Sequence, residues 1–188
     1  FTTAEADRLE EIAADRQVVA WGEIGLDFYR NNSPREAQYK AFKIQLERAR
    51  ELGLPVVIHD REAHAEVLSA VKFIGKKDRS GVIHCFSGDL ALAYEFIALG
   101  YYISIPGTVT YSKADTIRET ATGLPIEKML VETDSPFLAP VPRRGRRNEP
   151  AFVAYTVEEI ARLKNMDPVD VSIITSRNAC ELFGIPIR

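Results

Sequence analysis

A chain of 188 residues, 46% hydrophobic and 27% charged, is long enough to bury one substantial core and reads as a single soluble globular domain. A net charge of −3 excludes general electrostatic attraction to nucleic acid or anionic membrane, so any such binding needs a local basic patch. No apolar run approaches the roughly 18 residues of a membrane span, and two cysteines, Cys85 and Cys180, fit a reducing compartment such as the cytoplasm better than a disulfide framework.

The sequence opens on Phe1 without an initiator methionine, as a processed, cut or incompletely represented N-terminus would. Five short β-like runs then recur: Val18 to Trp21, Leu54 to Ile58, Gly81 to Phe86, Tyr101 to Ile105 and Lys128 to Glu132. Each precedes a helical pattern. Ser33-Pro34-Arg35-Glu36 has the form of a capping box with proline at N1, leading into Tyr39, Phe42, Leu46 and Ala49 and stopping at Gly53. Glu62 to Phe73, Leu90 to Leu99 and Lys113 to Thr120 read as helices ending near Gly75, Gly100 and Gly123. Glu149-Pro150 and Asp167-Pro168 open two more. Near-continuous apolar strands alternating with amphipathic helices predict an α/β fold with a parallel sheet, open and doubly wound or a (β/α) barrel.

In either fold functional groups collect at the carboxyl ends of strands, and here those ends read Gly22-Glu23-Ile24-Gly25-Leu26-Asp27, Ile58-His59-Asp60-Arg61, His84-Cys85-Phe86-Ser87-Gly88 and Glu132-Thr133-Asp134. No GxGxxG or GxxxxGK[ST] loop follows a strand, which favours the barrel over a nucleotide-binding sheet. An ionised carboxylate at the end of an apolar strand costs several kcal/mol unless a partner or metal compensates it. Glu23, His59, His84 and Asp134 form a mixed nitrogen and oxygen set suited to Zn²⁺ or Mn²⁺, with Mg²⁺ if carboxylates dominate. Any one of them alone is as readily a helix cap or a hydrogen-bonded core residue; it is the four equivalent positions together that point to metal.

His64 falls within a predicted helix, five residues from His59, and reads as a solvated helix residue; Cys85 is expected to point behind the sheet by strand alternation. Glu132 shares a face with Asp134 and is a candidate partner for a metal ligand or a buried ion pair, and Asp27 is either such a partner or a loop cap. Pro142-Arg143-Arg144-Gly145-Arg146-Arg147-Asn148 concentrates four arginines, a phosphate clamp or a solvated loop.

Gly-Glu-Ile-Gly-Leu-Asp-Phe at 22–28, Pro-Val-Val-Ile-His at 55–59, His-Cys-Phe-Ser-Gly at 84–88, Glu-Thr-Asp-Ser-Pro at 132–136 and Arg-Asn-Glu-Pro at 147–150 resemble, in the same order, the TatD family of metal-dependent hydrolases. The resemblance implies a TIM-type (β/α) barrel and a deoxyribonuclease that cleaves phosphodiester bonds with metal-activated water, using about two ions per complete site, Mg²⁺, Mn²⁺ or Zn²⁺. It places Glu23, His59, His84 and Asp134 at metal positions, with Glu23 bridging, and makes Glu23 and Asp134 catalytic; the charge of the loop, rather than the resemblance, offers Arg143, Arg144, Arg146 and Arg147 as contacts to the phosphates of DNA. The family begins with a His-x-His strand, and no histidine precedes Glu23. Five strands also fall short of eight, so residues 1–188 read as one hydrolase domain forming the C-terminal portion of a barrel. The rivals are a hydrolase of another ester or amide on the same barrel, and a non-catalytic remnant that serves as a binding module.

Overall fold

The apolar runs become five strands, β1 (Trp21–Asp27), β2 (Val56–Arg61), β3 (Gly81–His84), β4 (Tyr101–Ile105) and β5 (Met129–Val131), in a computed structural model that describes residues 2–187. They pair in chain order and all in parallel. Parallel neighbours need crossovers, which are supplied by α2 (Arg35–Glu51), α3 (His64–Ile74), α4 (Leu90–Ala98) and α5 (Asp115–Gly123). A first helix, α1 (Thr3–Ala13), precedes the sheet, and α6 (Val153–Lys164) and α7 (Pro168–Phe183) follow it. The expected α/β fold of barrel type is present; among the described residues the sheet is open, with β1 and β5 each paired on one side.

Local chemistry explains most boundaries. At the start of α7 the Asp167 carboxylate accepts the Val169 N–H at 2.8 Å, Pro168 is the first helical residue, and the helix stops at left-handed Gly184. The capping box expected at Ser33 to Glu36 does not form: Pro34 is the cap residue and makes no side-chain cap. Gln38 takes over, accepting the Asp27 N–H at 2.9 Å and donating to the carbonyls of Asp27 and Ser33. Helix α1, which the strand–helix alternation does not reveal, carries a true capping box between Thr2 and Glu5 and buries only Ala6.

Strands β1 and β2 run further than their apolar runs, because the ladder continues through Gly25↔His59, Leu26↔Asp60 and Asp27↔Arg61. Gly25 permits that close pairing, since a Cβ there would collide with the His59 backbone. Between Gly22 and Ile24 the register slips by one residue, with Gly22 opposite Val57 and Ile24 opposite Ile58. Glu23 is therefore the extra residue of a bulge. As a result Trp21, Ile24 and Leu26 all enter the core with the helices, while Glu23 is left on the other face.

That outer core packs Ile58, Ile83 and Ile103 of the sheet against Phe42, Val67 and Phe96 of the helices, each side chain worth about 1.5–3 kcal/mol on full burial. The inner face is smaller and layered. Val82, Tyr102 and Leu130 cluster with Leu182 of α7, and next along the strands come His59, His84, Ser104 and Glu132. Asn178 holds α7 to the free side of β5 by donating to the carbonyls of Ile126 and Met129 at 2.7 and 2.8 Å. Between α7 and the inner face lies a cavity of about 430 Å³, which His84 and Glu132 help to line.

Candidate metal centre

Parallel register brings the polar residues of four strands to one place. Pairing of His59 with His84 aligns their strands, and the rings lie 6.5 Å apart between centroids. Glu23, turned inward by the bulge, sets Oε1 2.8 Å from His59 Nδ1 and 3.9 Å from His84 Nε2. Asp134 sets Oδ1 3.7 Å from His84 Nε2. The structure thus brings together all four sequence-predicted ligands. Glu23, His59 and His84 each offer an atom within 4.8 Å of the others, as do His84, Cys85 and Asp134. Donor atoms about 2.1 Å from a shared tetrahedral ion sit about 3–3.5 Å apart, so this nitrogen and oxygen set fits a divalent cation with little rearrangement.

Two neighbouring acids orient the histidines. Glu132 Oε2 lies 2.8 Å from His84 Nδ1 and accepts the Cys85 N–H at 3.1 Å, which directs His84 Nε2 toward Glu23 and Asp134. Asp27 fills both roles considered for it: Oδ1 accepts the Arg30 N–H at 2.7 Å, capping the loop, and Oδ2 approaches His59 Nε2 at 3.5 Å.

The charges respond to one another. The hydrogen bond from His59 holds the Glu23 carboxyl below its usual range, and the same bond raises His59 against the opposing effect of burial. Burial pulls His84 down but is outweighed by the Glu132 hydrogen bond and the charges of Glu132, Glu23 and Asp134, so its pKa is raised. Burial, with the charges of Glu132 and Glu23, pushes Asp134 up. Burial would raise Asp27 too, but the Arg30 N–H and His59 bring it down.

Two expectations about neighbouring residues are corrected. Cys85 does not point behind the sheet: β3 ends at His84, and a left-handed Cys85 (φ 47°) swings its sulfur to within reach of His84 and Asp134. Burial pushes its thiol well up. His64 is not simply solvated: as the first residue of α3 it is half-buried and places Nδ1 2.8 Å from Oδ2 of Asp60, which alternates on β2 to the face opposite His59.

Asp134 is also left-handed (φ 55°), and its loop is held from within. Asn148, 2% exposed, donates through Nδ2 to the carbonyls of Thr133 and Phe137, both at 2.6 Å, and its N–H donates to Pro136 at 3.1 Å. Its place in Arg-Asn-Glu-Pro was the only sequence signal for this brace. Of the four arginines, Arg143 is half-buried with its guanidinium 5.3 Å from the Phe152 ring, and Arg144 lies 4.3 Å from the Tyr111 ring. Arg144, Arg146 and Arg147 are exposed, and none of the four makes an ion pair among the described residues.

A donor cluster at the carboxyl ends of a parallel α/β sheet is the layout of barrel enzymes that hold divalent metals. The chain belongs to the TatD family: the family model described as TatD related DNase matches residues 1–184. The metal-dependent hydrolase YabD of Bacillus subtilis (strain 168) is 40% identical over 177 residues, 94% of this chain and 69% of that protein. A protein of Citrobacter rodentium (strain ICC168) named 3'-5' ssDNA/RNA exonuclease TatD is 40% identical over 182 residues, again 94% and 69%. The crystal structure of YJJV, a TatD homolog from Escherichia coli K12, superposes with a TM-score of 0.91 at 32% identity, covering 99% of this chain and 72% of that one. The chain is thus a TatD-family metal-dependent hydrolase with the TIM-barrel fold of that family. No helix among the described residues is long and apolar enough to cross a membrane.

Proposed function

We propose that this protein is a deoxyribonuclease, hydrolysing phosphodiester bonds at the cluster formed by Glu23, His59, His84 and Asp134. The observation that carries the reading is their convergence from four strands, with ligand atoms of each triad within 4.8 Å. When bound there, Mg²⁺, Mn²⁺ or Zn²⁺, about two per complete site, supplies Lewis acidity, a lowered water pKa and neutralisation of phosphate charge. Glu23, His59, His84 and Asp134 would hold the metal. Asp134, partly open to solvent, accepts the proton of the attacking water. Glu132 holds His84 in the tautomer that leaves Nε2 free.

Nucleic acid as substrate is supported by the arginine loop and by the similarity to the Citrobacter protein named as an ssDNA/RNA exonuclease. In the same reading residues 1–188 act as one unit, the C-terminal portion of the barrel, and the two free cysteines suit the cytoplasm. The test is hydrolysis of plasmid and oligonucleotide by chelator-stripped protein with each metal restored, beside carboxylic ester and amide substrates. Metal-dependent phosphodiester cleavage is expected, and turnover of esters or amides alone would replace the reading with its rival. Asp134→Asn should cost at least about 100-fold in rate with an unchanged unfolding transition, because the amide neither accepts the proton nor ligates well. Exchanging Arg144, Arg146 and Arg147 for alanine should flatten the salt dependence of DNA binding by about one unit of slope per arginine. An unchanged slope returns the loop to a merely solvated surface.

A further inference from the structure

Beside the cluster, the ends of β1 and β2 carry a feature that hydrolysis itself does not use. Tyr29 is 63% exposed, and the Arg61 guanidinium lies 5.0 Å from the centroid of its ring. Each sits two residues past a group of the centre, Tyr29 past Asp27 and Arg61 past His59, and Asp27 and Arg61 are register partners. Arg61 closes β2, Tyr29 lies in the turn after β1, and two residues span at most about 7 Å, so the pair stands at the rim of the cluster.

The pair is also held firmly. The Phe28 N–H donates to the Arg61 carbonyl at 2.9 Å, Phe28 is buried with Arg35 4.2 Å over its ring, and Gln38 clasps the Asp27 backbone from both sides. A large aromatic ring kept in water by a braced loop, with a cation on one face, is a platform for a second planar group on the other. The partner has to be planar and unpaired in its own stack, and its chain has to suit the Arg61 guanidinium beside the ring. A nucleobase of a single strand meets both conditions, whereas bases inside a duplex are closed to the ring.

We propose that Tyr29, backed by Arg61, stacks a nucleobase next to the phosphate held at the metal centre, so that the site grips unpaired nucleic acid by base as well as by backbone. The inference rests on the nuclease reading. Anisotropy with Mg²⁺ present and phosphorothioate-linked strands, which resist cleavage, should compare a labelled single-stranded deoxyoligonucleotide with an abasic strand of equal length. The unmodified protein should bind the base-bearing strand about tenfold more tightly, as stacking on one aromatic implies. Tyr29→Ala should erase that preference while changing abasic binding less than about twofold, and Tyr29→Phe, which keeps the ring, should retain it. Equal binding of both strands by the unmodified protein, or equal weakening of both by Tyr29→Ala, would overturn the platform while leaving the nuclease reading in place. Binding of neither strand by the unmodified protein would remove both.

Discussion

His84 and His64 each place Nδ1 2.8 Å from a carboxylate oxygen, of Glu132 in one case and Asp60 in the other. Each carboxylate keeps its second oxygen buried with no hydrogen-bond partner among the described residues. The two pairs differ in what surrounds the rest of the imidazole. His84 ends a strand on the inner face, where Glu23 and Asp134 stand 3.9 and 3.7 Å from Nε2. His64 begins a helix on the outer side, within the fields of Asp89 and Glu62, and among the described residues it belongs to no cluster of three metal-type donors. A histidine held by an acid is therefore a positioning device of general use. It can serve a metal only where the sheet delivers further donors to its free nitrogen.

The comparison breaks most readily at the two acids. Glu132→Gln, which removes the charge that fixes His84, should lower Mn²⁺ or Zn²⁺ affinity and hydrolysis by about 10- to 100-fold. Asp60→Asn should leave metal affinity within about twofold and act on stability instead, by about 1–3 kcal/mol for a disturbed buried hydrogen bond. Calorimetric metal titration and denaturant melts of both variants distinguish the two sites, and equal losses of metal affinity would show that they do not differ in kind.

A smaller effect sharpens the same contrast. His64→Gln should keep hydrolysis within about twofold, because nothing at the centre touches this ring. Its stability, however, should depend on pH in a defined direction. The Asp60 hydrogen bond raises the folded pKa of His64, against burial, above an unfolded value near 6.5. The protonated form is thus favoured by folding, so the stabilisation is complete below about pH 6.5 and is lost as pH rises through the folded value. Thermal melts of the unmodified protein and His64→Gln from about pH 6 to 9 should converge as pH rises. A gap that widens with pH would mean that the neutral ring is the preferred partner.

How much of this could be read in advance depended on the range of the signal. Asp167-Pro168 and Gly184 mark α7 by chemistry confined to a single turn, and the apolar runs followed by helical periods announce a parallel sheet. Ser33 failed as a cap because Gln38, arriving from the next turn of chain, already satisfies that loop. Cys85 was misplaced because alternation holds only while the strand lasts, and the strand ends one residue earlier. The motif marks Asn148 but not what it does, because its partners are the carbonyls of Thr133 and Phe137, 15 and 11 residues away.

The sequence by itself determined the α/β class, the order of the five strands and the helices that follow them, and the identity of Glu23, His59, His84 and Asp134 as the group worth watching, since those follow from local periodicity and from acids and imidazoles placed at apolar strand ends. Only the tertiary structure decided that the four meet. Glu23 reaches the inner face because the ladder with β2 slips by one residue, and Trp21, Ile24 and Leu26 can share one core only with that slip. His84 faces Glu23 and Asp134 because Glu132 arrives from two strands away to hold its other nitrogen. Such contacts depend on register between segments distant in sequence, and no local pattern encodes register.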